Sequence, residues 1–143
     1  MRSSDLTHFF MLITPVKKDG RVLLISCSNK KRHRNGCIKA KYLYTGGLLR
    51  LALRFAYRHG FRAYILSAKY GIISPETLIQ YYDQKLREPY DGPWPVGHGF
   101  YVGSSLYFGL APKRFQRLLP LGLLIGKQMA SLKKLIASGL PKK

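Results

Sequence analysis

Cysteine is scarce in this chain. Cys27 and Cys37 are the only two in 143 residues, too few for a disulfide scaffold and without metal-ligand spacing. A reducing, cytoplasmic setting is the default for so thiol-poor a protein. Long apolar runs are missing as well. The run near the N-terminus, "HFFMLITPV", has 9 residues and is followed by "KKDG", not by a small-x-small cleavage site. That is far too short to span a membrane and makes a poor signal peptide. Neither G-x-G-x-x-G nor G-x-x-x-x-G-K-[ST] occurs, so dinucleotide and P-loop nucleotide binding lack their fingerprints. No arrangement of His, Cys and carboxylates suggests zinc.

Negative charge is the other scarcity. Six Asp and Glu stand against 25 Lys and Arg, a formal net charge of +19. A field of that sign attracts polyanions, nucleic acid above all. Anionic membrane is the weaker partner, because no long amphipathic basic helix is present to lie on it. With 46% hydrophobic and 13% aromatic residues, the chain is not a disordered basic tail. Its length suits one domain that buries roughly two-thirds of its unfolded surface.

Residues 1–20 read as an extension closed by the turn "KKDG", and residues 21–143 as a single domain. Arg21 to Cys27 reads as a strand whose continuous apolar run "VLLI" suits cover on both faces. Ser28 to Lys41 reads as a basic loop. The spacing of Leu48, Leu49, Ala52, Phe55 and Ala56 predicts a helix over 44–58, with Thr45 as N-cap and Gly60 as its stop. Phe61 to Ser67 is a second strand, parallel to the first by the right-handed crossover rule. Ser74-Pro75 resembles a helix start, "FYVGSSLYFGLAP" a third strand running into a helix, and Met129, Leu132, Leu135 and Ile136 the face of a last helix. The alternation predicts an α/β fold: one three-layer domain with a small, mainly parallel, Rossmann-like sheet.

If the first two strands are parallel, their carboxyl ends share the edge where open α/β sheets bind ligands. The first end offers Ser26, Cys27, Ser28, Asn29, Lys30 and Lys31; the second offers Ser67, Lys69, Tyr70 and Gly71. Both combine small residues, hydroxyls and point charges suited to phosphate. Tyr44, Thr45 and Gly46 would add the positive end of a helix. Four of the six acids, Glu76, Asp83, Glu88 and Asp91, fall between residues 76 and 91. Asp83 is the expected general acid or base, with Cys27 as the other catalytic candidate. No cofactor is evident beyond a Mg²⁺ ion shared between carboxylate and phosphate. Glu76 is expected to pair with surplus cations or to cap a helix. His98, in a Gly/Pro-rich loop, is the histidine best placed to reach a site. For nucleic acid, Arg32, Arg34, Lys39 and Lys41 form one patch and Arg50, Arg54 and Arg58 a stripe at four-residue spacing. Tyr42, Tyr44, Tyr70, Tyr81 and Tyr82 would stack on unpaired bases.

The succession "LLISCSNKK", "LYTGGLLRLA", "YILSAKYGIISPETLIQYYDQKL" and "LPLGLLIGKQMASLKK" resembles a family of small bacterial, phage and archaeal domains of unknown function. The likeness spans residues 21–136, and "LSAKYG" with the later Tyr82-Asp83 is its most specific part. More distantly the chain is similar to YaaA-type peroxide-stress proteins and to the archaeosine synthase domain with a Pro-Cys-x-x-x-Lys-Pro-Tyr motif. The resemblance implies a uracil-DNA-glycosylase-like fold and nucleobase or nucleic-acid chemistry at Ser26, Cys27, Lys30 or Lys31, Tyr44, Thr45, Gly46, Ser67, Lys69, Tyr70, Gly71 and Asp83. No Pro-Tyr follows the lysines here. Two functions are expected on these grounds. One is an enzyme directed at an N-glycosidic or related bond, a hydrolase or glycosylase type. The other is a non-catalytic basic DNA- or RNA-binding protein. The oligomeric state is not legible.

Overall fold

β1 (Arg21–Ser26) is the axis of the sheet in the computed structural model, which describes residues 20–120 and 122–140. All of the expected extension except Gly20 lies outside the described residues. Along β1, Val22 to Ile25 are at most 1% exposed, as a four-residue apolar run with no polar alternation requires. After β1 come β2 (Cys37–Lys39), the single-turn α1 (Ala40–Leu43) and α2 (Gly47–His59). β3 (Arg62–Ser67), β4 (Gly71–Ile73) and β5 (Leu78–Gln80) follow. β6 (His98–Val102), β7 (Phe115–Arg117) and α3 (Ile125–Ser138) complete the described chain.

The main sheet has the order β4-β3-β1-β6-β7. β3, β1, β6 and β7 are parallel and only the edge strand β4 is antiparallel. Register pairs Leu24 with Tyr64 on one side and with Tyr101 on the other. The chain therefore leaves β1 toward β3 and later returns to the far side of β1 as β6. This reversal of strand order opens a crevice at the carboxyl ends of β1 and β6.

Alternate residues of β1 serve two different layers. Leu23 and Ile25 join the core under α2 and α3, with Leu49, Ala52, Phe55, Ala56 and Leu132. Each large side chain buried there stabilises the fold by roughly 1.5–3 kcal/mol. Val22 and Leu24 face Leu66, Phe108 and Phe115, packed against Tyr90, Trp94 and Tyr101. The three-layer α/β fold is as expected, but the second covering layer is aromatic loop. The helix expected after β6 is a series of turns over residues 105–110, where Gly103, Gly109 and Pro112 bracket a stretch too short to propagate one.

Three other expectations are corrected. Within the expected basic loop, Cys37–Lys39 pairs antiparallel with Leu78–Gln80. The helix over 44–58 begins later: Tyr44 bridges Lys31, the Thr45 amide donates to the Lys30 carbonyl at 2.9 Å, and Gly46 is the N-cap. That pairing pins residues 44 and 45 to the exit of β1, so Thr45 caps nothing. Ser74-Pro75 starts no helix. Ser74 Oγ accepts from the Glu76 amide at 3.1 Å and its carbonyl accepts from Thr77 N at 3.0 Å, which closes a turn between β4 and β5. Gly60 does end α2, in the left-handed region at φ 77°. No helix among the described residues is long and apolar enough to cross a membrane.

Candidate functional site

The two strand ends expected to face each other behave differently. At the end of β3, Ser67 is 1% exposed and belongs to a buried triangle of hydroxyls. Tyr44 Oη donates to Ser67 Oγ at 3.1 Å, Tyr44 and Tyr82 hydroxyls are 2.6 Å apart, and Ser67 Oγ lies 3.0 Å from Tyr82 Oη. The amides of Lys69 and Tyr70 also donate to Ser67 Oγ, at 3.2 and 3.1 Å. Burial pushes the Tyr44 phenol up to about 12 and the Tyr82 phenol up as well. Tyr70 meets Tyr82 edge-on at 5.7 Å, and the Lys31 ammonium stands 4.5 Å over the Tyr82 ring. The small polar residues here tie a core corner together, so "LSAKYG" does not form the second wall of the crevice.

At the end of β1 the structure is open. A groove of about 740 Å³ is lined by Ser26, Cys27, Ser28, Asn29 and Lys30 on one side, and by Val102, Gly103 and Ser104 on the other. The second wall is therefore the end of β6, whose "GSS" repeats the small-polar strand exit of β1. Ser26 Oγ accepts from Ser104 N at 3.2 Å and holds the two tips together. A Cβ on Gly103, whose φ is +124°, would overlap the Ser26 side chain. Only glycine fits there.

The roof comes from both long helices. Gly46, Gly47, Leu48 and Leu49 at the start of α2, with Ile125, Gln128 and Met129 at the start of α3, complete the lining. Neither helix has a capping side chain or an acidic residue in its first turn. Their positive ends meet at the same groove, beside Lys30. Ser28 Oγ receives the Gly46 amide at 3.3 Å and donates to the Lys30 carbonyl at 2.8 Å, which shapes the loop. A Cβ on Gly46 would come within 2.6 Å of Ser28 Cβ.

Cys27 lies half-buried in this lining. Its amide donates to Leu66 O at 2.9 Å and its thiol is 4.0 Å from Tyr107 Oη. Among the expected site residues, Ser26, Cys27, Ser28, Asn29, Lys30 and Gly46 come together. Lys31, Tyr44, Thr45, Ser67, Lys69, Tyr70 and Gly71 stand behind or beside the groove and are not in its lining. Asp83 is exposed, next to buried Tyr82, and also lies outside the lining. His98 opens β6 opposite Arg21, at the far end of the sheet. Gly103, Ser104, Gln128 and Met129 were not anticipated, although "GSS" after an apolar strand carried the signal.

The cationic surface divides in the same way. Arg50, Arg54 and Arg58 are exposed on α2, and Arg32 and Arg34 are exposed beyond β1. Lys39 and Lys41 are ion-paired with Glu76 at 2.9 and 2.6 Å. Burial opposes ionisation of Glu76, but the hydrogen bonds from Lys41 and Lys39 outweigh it and lower its pKa. Tyr44 and Tyr82 are 1% and 5% exposed, out of reach of any base, whereas Tyr42 is 52% exposed. Among the described residues no three His, Cys, Asp or Glu side chains gather as a metal cage.

These features define a small α/β domain with an open groove at the carboxyl ends of its central strands. Within that class, the model of a family of unknown function (DUF6884) matches residues 22–91, from β1 through the hydroxyl triangle and just under half of the chain. Neither the curated proteins nor the solved structures give a match.

Proposed function

We propose that this protein is nucleic-acid-associated and holds a phosphate-bearing nucleotide unit in the groove between β1 and β6. The observation that carries the reading is the meeting of two uncapped, acid-free helix starts with Lys30 at one opening. Oriented backbone N–H groups and a mobile ammonium suit a phosphate, and the net charge of +19 favours its approach. The apolar wall of Leu48, Leu49, Ile125 and Met129 suits a flat ring beside that phosphate. The resemblance to nucleobase-directed families points in the same direction.

Binding ranks ahead of catalysis on one further observation. Among the described residues the lining contains no carboxylate and no histidine, so general acid–base chemistry has no resident group among them. Cys27 is the thiol available for nucleophilic chemistry at an N-glycosidic or related bond. The test is salt-dependent binding of single- and double-stranded DNA and RNA by the wild type, Lys30→Ala, and a Lys133→Ala/Lys134→Ala control. Lys30→Ala should cost about tenfold in affinity, as for a charge-assisted contact, and more than the control pair. Equal losses would make the groove irrelevant and leave a diffuse basic surface.

A further inference from the structure

The groove does not end at Gly103. A second chamber of about 240 Å³ adjoins it, sharing Val102, Gly103, Ser104 and Gln128, and its far side holds Arg117. Arg117 ends β7 and is half-buried. Its Nη2 donates to Ser105 Oγ at 2.8 Å, and its guanidinium carbon stands 5.3 Å from the Tyr101 ring centroid. Both ion pairs formed among the described residues use Glu76, so no carboxylate among the described residues neutralises Arg117. A guanidinium drawn partly out of water, with one of five donors used and no counter-charge, is suited to an anion from outside.

The geometry points to Arg117 as a second phosphate subsite, so that the full ligand carries two phosphate groups separated by a sugar. This rests on the groove reading above: the first phosphate sits by Lys30 and the helix starts, the second beyond the Gly103–Ser104 waist. A nucleoside 3′,5′-bisphosphate and two successive phosphates of a nucleic-acid strand share this chemistry.

The experiment measures affinities for adenosine 5′-monophosphate, adenosine 3′,5′-bisphosphate and a 5′-phosphorylated trinucleotide. Wild type, Lys30→Ala, Arg117→Gln and Ser105→Asp are compared, each checked for folding by thermal melting. In the wild type the second phosphate should tighten binding by about tenfold, the scale of one charge-assisted contact. Arg117→Gln should erase that gain and leave the monophosphate affinity unchanged. Ser105→Asp should do the same while leaving Arg117 in place, because it supplies the missing carboxylate. Lys30→Ala should weaken all three ligands. A gain seen only with the bisphosphate assigns the site to free nucleotides, and one seen with the trinucleotide assigns it to strands. If the gain survives both Arg117→Gln and Ser105→Asp while Lys30→Ala still weakens binding, the second subsite is wrong and the groove stands. If the wild type binds none of the probes, or Lys30→Ala changes nothing, both readings fall.

Discussion

The ends of β1 and β3 are adjacent, parallel and built from the same kinds of residue, yet one is a groove and the other a plug. The difference is what stands opposite. Ser67 has Tyr44 and Tyr82 within hydrogen-bond reach, so its hydroxyl is satisfied inside the protein. Beyond the tip of β1 stand Gly103, Ser104 and the two helix starts, which leave space. Small polar residues at a strand end therefore mark a place where backbone comes close. Whether it approaches a ligand or the rest of the chain depends on distant residues.

That contrast can be broken hardest at the plug. Tyr44→Ala removes a side chain that is 1% exposed and should destabilise the fold by about 3–5 kcal/mol, the cost of emptying an aromatic core position. Chemical denaturation would measure it, and a loss under 1 kcal/mol would mean the plug is not core. Tyr82→Phe keeps the ring but leaves the Tyr44 hydroxyl with Ser67 alone, at a cost of about 1–3 kcal/mol.

Alkaline pH acts on the same corner. Tyr44 is pushed above its ordinary value of 10.0 to about 12, so the folded state holds the proton more tightly than the unfolded state. Its contribution is whole below about pH 10 and is lost as pH climbs toward 12. An absorbance titration should show phenols that ionise only as the fold is lost. Ionisation of all ten tyrosines in a still-folded protein would contradict the buried triangle. At the groove, Lys30→Ala should change stability by less than about 0.5 kcal/mol, because its side chain is exposed. The larger effect is expected on the nucleotide affinity proposed for the groove. Glu76→Gln should cost less than about 1 kcal/mol, as for a half-exposed ion pair. Because the Glu76 pKa is lowered in the fold, its contribution exists above the ordinary carboxylate range and disappears as pH falls through the folded value.

The long elements were legible because their signals are local and repeated. Val22–Ile25 is an uninterrupted apolar run, and Leu49, Ala52, Phe55 and Ala56 keep helical spacing with Gly60 as a stop. The three-residue strands β2, β4, β5 and β7 were not, since a pleat of three residues has no period to read. Half of the groove was visible in "SCSNK" and in the glycines before α2. The other half depended on which strand lies beside β1 on its second side. That strand is β6, more than seventy residues later in the chain by register with Arg21–Ile25, and no local pattern announces it. Asp83 stood out by the rarity of acid, but rarity in composition says nothing about where an extended segment will run.

The aromatic loop layer also makes the molecule an unequal reporter of itself. Trp94 is the single tryptophan. It sits among Tyr90 at 5.0 Å and Phe115 at 6.4 Å, on the face of the sheet away from α2 and α3. Indole emission therefore watches the loops alone, while far-ultraviolet dichroism is dominated by the two helices on the other side. If the loops loosen before the helical layer does, the emission curve will shift ahead of the dichroism curve on heating. Coincident curves would show that a layer made without helices melts as one body with the layer that has them.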